Sequence, residues 1–427
     1  MRLKIKHPAP RSLPPFWLAI LGLLLLLPPL AAQEALRISL AGDLAAETQK
    51  QARNAVGYYN LLWGPVALRC SGALGTEFTD NARNSSKAEG DMIIRPSANL
   101  QLNWPVTEWN TLNLSLGAGY SLYVQHGDQS QFYLNPGSGL SFDIFIQDWK
   151  INLHDRATLT QNSYENPTTS GGQNNTFLQN DLGVTGLWDL GKVLVNLGYD
   201  HVDYVGVDRQ RSQPDSASEN FFLNLGFRLR PEIMLGLEGG LGLVRYSQSG
   251  PTNALFVSDA MQWSAGAFSS VQISEHLSAR LDGGYMVYIP ENSQMAGISE
   301  MDSLYFQFSV SHEITRHISY SLSAGHSVDF AYNGQAYDRL FVRLNPNWNV
   351  LRKFSISTPV WWEQGTQVAA HAFKYDQYGA GLTVGRALTQ KLSTSVYYQF
   401  VMRATDQKLS YNDYTANIVG LNLNCQF

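Results

Sequence analysis

Apolar and polar side chains alternate at every second position from about residue 66 to the C-terminus. The final stretch, "GLNLNCQF", places Leu421, Leu423, Cys425 and Phe427 on one face, with asparagine and glutamine on the other. Successive side chains of a β-strand point to opposite faces, so this period predicts strands with one apolar and one polar side. The pattern recurs in "TLNLSLGAGYSLYVQ", "FFLNLGFRLR", "LYFQFSVS" and "HISYSLSAG". It therefore predicts an all-β chain.

The segments between the alternating stretches are short and long in turn. Short ones include "RPEI", "TRHIS" and "TQKLS", whereas "QNSYENPTTSGGQNN" and "VGVDRQRSQPDSASE" are long, polar and rich in turn-forming residues. Short periplasmic turns and long extracellular loops are typical of transmembrane barrels. We therefore predict a transmembrane antiparallel up-and-down β-barrel with both termini in the periplasm.

The alternation predicts eighteen strands, an even number, as single-chain bacterial barrels have. Sixteen is the alternative if one weak segment has been split in two. The predicted starts are residues 66, 91, 109, 131, 149, 174, 192, 218, 232, 258, 276, 301, 316, 337, 353, 374, 391 and 412.

Composition and local residue choice support a membrane-spanning barrel. Only 15% of the residues are charged and 12% are aromatic. Aromatic side chains prefer the membrane interface, and here they adjoin the predicted short turns. The girdle residues predicted in this way are Trp104, Trp109, Trp149, Trp188 and Phe354. Pro96, Pro136 and Pro346 fall inside strands, where the missing N–H predicts β-bulges.

The N-terminus reads as a secretory signal peptide. Basic residues between Arg2 and Arg11 precede an apolar run at 16–30 and the small residues of "AAQEA", which predicts cleavage between Ala32 and Gln33. We therefore divide the chain into a signal peptide (1–32), a periplasmic N-terminal segment (33–65) and an outer-membrane barrel (66–427). Asp43 starts a predicted short helix in the N-terminal segment, which would lie either in the periplasm or in the lumen. The predicted location is the bacterial outer membrane.

Charged residues occupy many polar positions of the strands. An eighteen-strand barrel is wide enough for an aqueous lumen that tolerates charge. One interpretation is an arginine track that selects anionic or sugar solutes; the other, which we favour, is a charge ladder that only satisfies the wall or anchors a loop. The candidates for selectivity are Arg69, Arg95, Arg156, Arg228, Arg280, Arg343, Asp143, Glu238 and Asp282.

The two cysteines lie near the start of the first strand and the end of the last one. These strands are neighbours in a closed barrel, and Cys70 and Cys425 would share the outward face at the periplasmic end. An oxidising periplasm and direct cross-strand pairing would permit a disulfide across the seam. The alternative is two small hydrophobic residues.

Signals for enzymatic chemistry are weak. His276/Ser278 and His317/Ser319 have the His-x-Ser spacing of outer-membrane phospholipases, but they fall at periplasmic turns rather than the outer rim. The chain has no P-loop, nucleophile elbow or metal-spaced His/Cys cluster. We expect no enzyme, no cofactor and no bound metal. The chain has no cluster of basic residues, so nothing in the sequence indicates nucleic-acid binding.

The sequence "GTEFTDNARN" resembles the opening strand of the beta-barrel porin family of outer-membrane proteins. It carries an aromatic–x–Asp–Asn signature at Phe78, Asp80 and Asn81, and a proline-containing strand, "DMIIRPSANLQL", follows. The resemblance covers about residues 58–427. The C-terminal Phe427 also resembles the barrel-insertion signal of outer-membrane proteins, although a cysteine two residues before it is unusual.

The resemblance and the fold class together give the functional expectation. We expect a porin-like channel for small polar or anionic solutes. Members of the family often lie near exopolysaccharide genes, so an exopolysaccharide export or assembly barrel is one alternative, and a plugged structural or adhesive barrel is another. The partners expected are outer-membrane lipid and lipopolysaccharide, the barrel-assembly machinery, periplasmic chaperones and exopolysaccharide.

Overall fold

A computed structural model of the chain describes residues 59–160, 176–207, 215–247, 259–291, 300–330, 336–350, 353–368, 374–406 and 413–427. The predicted signal peptide, the helix after Asp43 and most of the long loops lie outside these residues. No helix in the described ranges is long and apolar enough to span a membrane.

The described residues form twenty strands and one turn of 3₁₀ helix, Gly127–Gln129. The strands are β1 (Leu61–Trp63), β2 (Val66–Thr79), β3 (Asp91–Pro105), β4 (Asn110–Tyr123), β5 (Gln131–Ile146), β6 (Trp149–Thr160), β7 (Phe177–Asp189), β8 (Val193–Gly206), β9 (Ser216–Arg230), β10 (Ile233–Tyr246), β11 (Ala260–Ser274), β12 (Leu277–Pro290), β13 (Met301–Thr315), β14 (Ile318–Phe330), β15 (Ala336–Val350), β16 (Phe354–Ser357), β17 (Val360–Val368), β18 (Lys374–Ala387), β19 (Leu392–Thr405) and β20 (Tyr414–Gln426).

The strands close into a single antiparallel barrel. Each strand pairs with its neighbours in the chain, and β2 pairs with β20 from Ser71↔Gln426 to Thr79↔Ile418. Strands β16 and β17 are two halves of one wall strand, because both lie between β15 and β18 and are separated only by Thr358 and Pro359. With β1 outside the wall, the barrel has eighteen strands, which confirms the predicted fold and the larger of the two strand counts. Every predicted strand start lies within three residues of the observed one.

The alternation did not predict the short strand β1. It pairs only with the first residues of β2, from Leu61↔Leu68 to Trp63↔Val66. The Asn60 side chain adds two hydrogen bonds of 2.8 Å to the backbone of Cys70. Residues 60–63, assigned from sequence to the N-terminal segment, therefore extend the edge of the barrel beside β2.

Tight turns and long connections lie at opposite ends of the barrel, here called the turn end and the loop end. The turn end includes Gln147–Asp148, Pro231–Glu232 and Glu275–His276. Aromatic side chains surround it on the outside: the rings of Trp149 and Trp188 stack with centroids 4.9 Å apart. Trp104, Trp109 and Trp348 are exposed there as well. This is the predicted girdle.

The prolines within the strands have different effects on the wall. At Pro136 the pairing of β5 shifts register against both β4 and β6, and Gly137 adopts a φ of 87°. This is the predicted bulge. Pro96 and Pro346 sit in ladders without a register shift, so the bulges predicted there are absent. Pro346 instead lies opposite the break between β16 and β17, where its carbonyl accepts a hydrogen bond from Thr358 N–H.

The inner face changes in character along the barrel axis. Near the turn end, inward side chains such as Arg69, Gln101 and Asn113 are half-buried. Towards the loop end, inward residues on strands all round the barrel are buried, and they include polar and charged residues: Glu77, Asp91, Asp200, Glu238, Arg339 and Arg403. The inner face is therefore more open to solvent at the turn end and more densely packed towards the loop end.

Candidate functional site

The candidate site is the inner wall of the barrel, and strand register decides which side chains line it. Residues paired across two strands share a face. The ladders place on the inner face all nine charged residues proposed as selectivity candidates: Arg69, Arg95, Arg156, Arg228, Arg280, Arg343, Asp143, Glu238 and Asp282. The structure places eight of them, all but Arg69, in separate ion-paired groups rather than in one continuous track.

The most deeply buried group surrounds Glu363 on β17. Arg339 Nη1 lies 3.2 Å and Arg343 Nη2 lies 3.4 Å from Glu363 Oε2, and the Tyr375 hydroxyl donates to Oε1 at 2.7 Å. The Arg403 guanidinium stacks on the Tyr375 ring, 4.3 Å from its centroid. Arg339, Glu363 and Arg403 are each no more than 2% exposed. Buried charges persist when they are paired, and this group meets that condition.

A second group surrounds Glu238 on β10. Arg280 on β12 donates from Nε to Asp282 at 2.8 Å and lies 3.9 Å from Glu238. The Tyr305 hydroxyl donates to Glu238 Oε1 at 2.7 Å, and the Arg280 guanidinium stacks 4.6 Å from the centroid of the Phe268 ring. Arg280 is therefore held in place by two carboxylates and one ring.

A third group surrounds Glu77 on β2. Arg95 Nη1 and the Tyr397 hydroxyl both donate to Glu77 Oε2, the latter at 2.7 Å, and Arg95 Nε lies 3.3 Å from Ser121 Oγ. Residues Tyr397 and Glu77 are 320 positions apart in the chain. The group therefore ties the last strands of the barrel to the first.

The same arrangement of residue types thus recurs three times in the described wall. In each case a glutamate binds an arginine and accepts a tyrosine hydroxyl, and we call these three groups the Tyr–Glu–Arg units. Each tyrosine ring lies over a glycine of another strand: a Cβ on Gly266, Gly365 or Gly420 would come within 2.3 Å of Tyr305, Tyr375 or Tyr397, respectively. Only glycine leaves room for the ring to lie flat on the wall.

Three further predicted charges are paired closer to the turn end or at mid-height. Arg228 forms a two-pronged pair with Asp189 at 2.8 and 2.9 Å. Asp143 lies 3.2 Å from Lys150, and Arg156 lies 3.2 Å from Asp181. Arg69 is half-buried on the inner face near the turn end. Most of the predicted arginines are thus ion-paired, as a charge ladder requires.

Sequence reasoning missed several wall residues that the structure brings into these groups: Glu77, His154, Asp181, Arg339, Glu363 and Arg403. The alternation itself was the missing signal. Arg339 stands four positions before Arg343 in "DRLFVRL" and so must share its face. Which carboxylate each arginine meets depends on inter-strand register, which the alternation does not specify.

The aromatic–x–Asp–Asn signature lies at the seam that closes the barrel. Asp80 accepts hydrogen bonds from the backbone and side-chain N–H groups of Asn417 on β20, at 2.7 and 2.6 Å. Asn81 donates to the carbonyl of Thr415 at 3.0 Å. Phe78 points outward and is 55% exposed. The Asp–Asn pair therefore joins the loop end of β2 to the last strand.

The turn end of the same seam does not contain a disulfide. Cys70 and Cys425 are both free. They share the outward face, as predicted, but Cys425 lies opposite Gly72, so Cys70 is two residues too far along the strand. Diagonal neighbours of this kind have Cβ atoms about 7–8 Å apart, and a disulfide requires about 3.5–4.5 Å. The register therefore contradicts the proposed bridge.

The chain terminus continues the seam. Phe427 points outward, 62% exposed, and its N–H donates to the carbonyl of Cys70 at 3.2 Å. Its role as an insertion signal stays a prediction. The His-x-Ser pairs lie at the turn end, as expected: His276 and His317 occupy turns that directly precede β12 and β14.

No protein-family model and no curated protein matches the chain. Solved structures of similar shape include OccAB3 of Acinetobacter baumannii, with 11% identity and a TM-score of 0.46, covering 84% of this chain and 99% of that one. Pseudomonas aeruginosa OccK2 (OpdF) has 10% identity and a TM-score of 0.49, covering 84% and 98%. A BenF-like porin from Pseudomonas fluorescens Pf-5 has 10% identity and a TM-score of 0.48, covering 84% and 99%.

Among these similar structures, the one from Pseudomonas fluorescens Pf-5 is a BenF-like porin. Their identities and TM-scores are too low to carry a functional argument. The eighteen-strand antiparallel barrel of the chain itself is the architecture of a bacterial outer-membrane protein, with an apolar outer face, an aromatic girdle and a polar inner face. The expected likeness to outer-membrane porins is confirmed at the level of the fold.

Proposed function

We propose that the chain is an outer-membrane channel for small polar solutes, with a preference for anions. The observation that supports this most is the closed eighteen-strand wall with a polar, ionised inner face. Barrels of sixteen to eighteen strands enclose an aqueous channel, whereas smaller ones are filled by their own side chains. Charge on the inner wall is compatible with water in the lumen and tunes which ions pass.

The arrangement of the arginines supports a selective channel rather than a wide pore. At the Glu363 unit, Arg339 and Arg343 both contact the Glu363 carboxylate. The Arg403 guanidinium stacks on the ring of Tyr375, whose hydroxyl binds the same carboxylate. Arginine presents planar donors that match carboxylate and phosphate groups. Arg343 keeps 11% of its side chain exposed, so it is the arginine of this unit that a passing solute would meet.

The buried inner side chains also favour a second candidate, a plugged barrel whose loops bind a surface partner. Inner residues such as Tyr288, Tyr337 and Tyr375 are no more than 1% exposed, which a fully open lumen would not produce. Exopolysaccharide, lipopolysaccharide and the assembly machinery remain predicted partners. The absence of enzymatic activity also stays a prediction.

The test is single-channel conductance of the folded protein in a planar bilayer, with reversal potentials across a salt gradient. We expect steady channel openings and a reversal potential of the sign that anion selectivity gives. Arg343→Gln should shift that potential towards cation selectivity, because Arg343 is a charged side chain near the boundary of the packed region. Arg386→Gln is the matched control, since Arg386 lies on the outer face over Phe354. Folded protein that leaves the bilayer silent would contradict the channel and favour the plugged barrel.

A further inference from the structure

One group of metal-ligating side chains in the described wall takes no part in the Tyr–Glu–Arg units. His154 on β6, Asp181 on β7 and Asp200 on β8 converge at mid-height on the inner face. One ligand atom from each lies within 4.8 Å of the other two. His154 Nε2 is 2.9 Å from Asp200 Oδ1 and 3.8 Å from Asp181 Oδ1. An ion bound about 2.1 Å from each atom requires separations of about 3–4 Å, and the two separations measured from His154 are close to this range.

The hydrogen bonds behind His154 determine which ring nitrogen faces the two aspartates. The Asn152 amide donates from Nδ2 to Asp143 at 2.8 Å, so its Oδ1 points towards His154 Nδ1, 3.1 Å away. Because Oδ1 is an acceptor, Nδ1 must carry the proton. Metal-ligating histidines are normally held in this way by a hydrogen bond to the second nitrogen. In the neutral imidazole, Nε2 then presents its lone pair to the carboxylates.

This arrangement has two consistent electrostatic states. Without a cation, His154 Nε2 and Asp200 Oδ1 are within hydrogen-bond distance of each other, 2.9 Å apart. With a metal ion between them, the neutral imidazole and the carboxylates are all ligands. Arg156 donates to Asp181 Oδ2 at 3.2 Å, which turns the other oxygen, Oδ1, towards His154. Binding of the ion therefore distinguishes the two states, and a metal titration measures it.

A glycine makes room for the group. Gly183 on β7 lies between the other two strands, and a Cβ there would come 2.1 Å from Asp200 Oδ1 and 2.6 Å from His154 Nε2. The His154 side chain is fully buried, and Asp200 is only 2% exposed as a residue. The ligand atoms of Asp200 and His154 therefore pack directly over Gly183, and any larger residue there would displace them.

We propose that His154, Asp181 and Asp200 bind a divalent transition-metal ion, of which zinc is the representative. One imidazole nitrogen and two carboxylate oxygens suit zinc and related ions, and three protein ligands leave a position for water or a solute oxygen. The ion would link three adjacent strands where the half-buried and packed parts of the lumen meet. The inference does not depend on whether the barrel conducts.

Calorimetric titration of the chelator-treated, folded full-length barrel with ZnCl₂, using a tag free of histidine, tests this proposal. We expect one ion per barrel. Asp200→Asn and His154→Gln should abolish the heat of binding, and Asn152→Leu should weaken it by about 10- to 100-fold because the imidazole loses its orienting partner. Heat-modifiable gel mobility shows that each variant is folded.

Gly183→Ala keeps every ligand but fills the space between them, so it should also abolish binding. Gly239→Ala is its control, because a Cβ there meets nothing closer than 3.5 Å. His201→Gln is the control for His154: His201 touches Glu219 and Asp203 through opposite ring nitrogens, so no single ion can use all three, and binding should be unchanged. A flat titration of the wild-type barrel, or full binding in the folded Asp200→Asn and Gly183→Ala variants, would overturn the proposal and leave only the hydrogen bond between His154 and Asp200.

Discussion

At the scale of single residues, the inner wall is notable for charges removed from water. Arg339 and Arg403 are at most 2% exposed, and Glu363 is 1% exposed. The alternation could place these residues on the inner face, but it could not reveal that they meet, because Arg339, Glu363 and Arg403 belong to three different strands. Their contacts depend on shape and register around the barrel, which one strand's sequence does not contain.

We predict that Glu363→Gln destabilises the barrel more than any change to an exposed ion pair. Removing one partner of a buried ion pair leaves an uncompensated charge and costs about 3–5 kcal/mol. Asp189→Asn is the comparison, because Asp189 and Arg228 are more than a third exposed and such pairs contribute about 0–1 kcal/mol. Urea unfolding followed by gel mobility compares the two midpoints. Equal midpoints would show that Glu363 is not the sole counter-charge of its arginines.

At the scale of elements, the strands were largely predictable and the exceptions have physical reasons. Strand starts agree within three residues because alternation and turn residues are local signals. Strand β1 has three residues, too few to show a period. The break between β16 and β17 had a signal in Pro359, which cannot donate to the ladder, yet the wall continues past it because Gly381 N–H donates to the Pro359 carbonyl.

The Asp80–Asn81 pair gives a prediction about the seam between β2 and β20. Asp80→Ala removes two hydrogen bonds to Asn417 at the loop end, where the ladder ends. We expect the heated barrel to lose its compact gel mobility at a lower temperature than the wild type. Asp128→Ala is the control: Asp128 pairs with Arg83 on the surface, with 67% of its side chain exposed, so the mobility transition should not move. A transition unchanged in Asp80→Ala would mean that the backbone ladder alone closes the seam.

At the scale of the whole molecule, closure depends on non-covalent contacts. We predict that mass spectrometry under non-reducing conditions recovers Cys70 and Cys425 as free thiols, and that a reducing agent leaves the unfolding midpoint unchanged. The Cys70→Ser and Cys425→Ser variants should have the same unfolding midpoint as each other, because Cys425 lies opposite Gly72 and the two thiols are not bonded. A midpoint that falls on reduction would contradict this prediction and show that a disulfide stabilises the barrel.

The pairing of β2 with β20 also determines the order in which the barrel can form. Almost every other wall contact joins strands adjacent in the chain, whereas Asp80 and Asn417 are 337 residues apart. Contacts of such high sequence separation are slow to form, because the ordering of the chain precedes the gain from pairing. Until closure, β2 and β20 are open edges able to pair with any exposed strand. The newly made chain thus has two unpaired strand edges, on β2 and β20, for most of its assembly. It needs protection from aggregation until these two strands pair and the barrel closes.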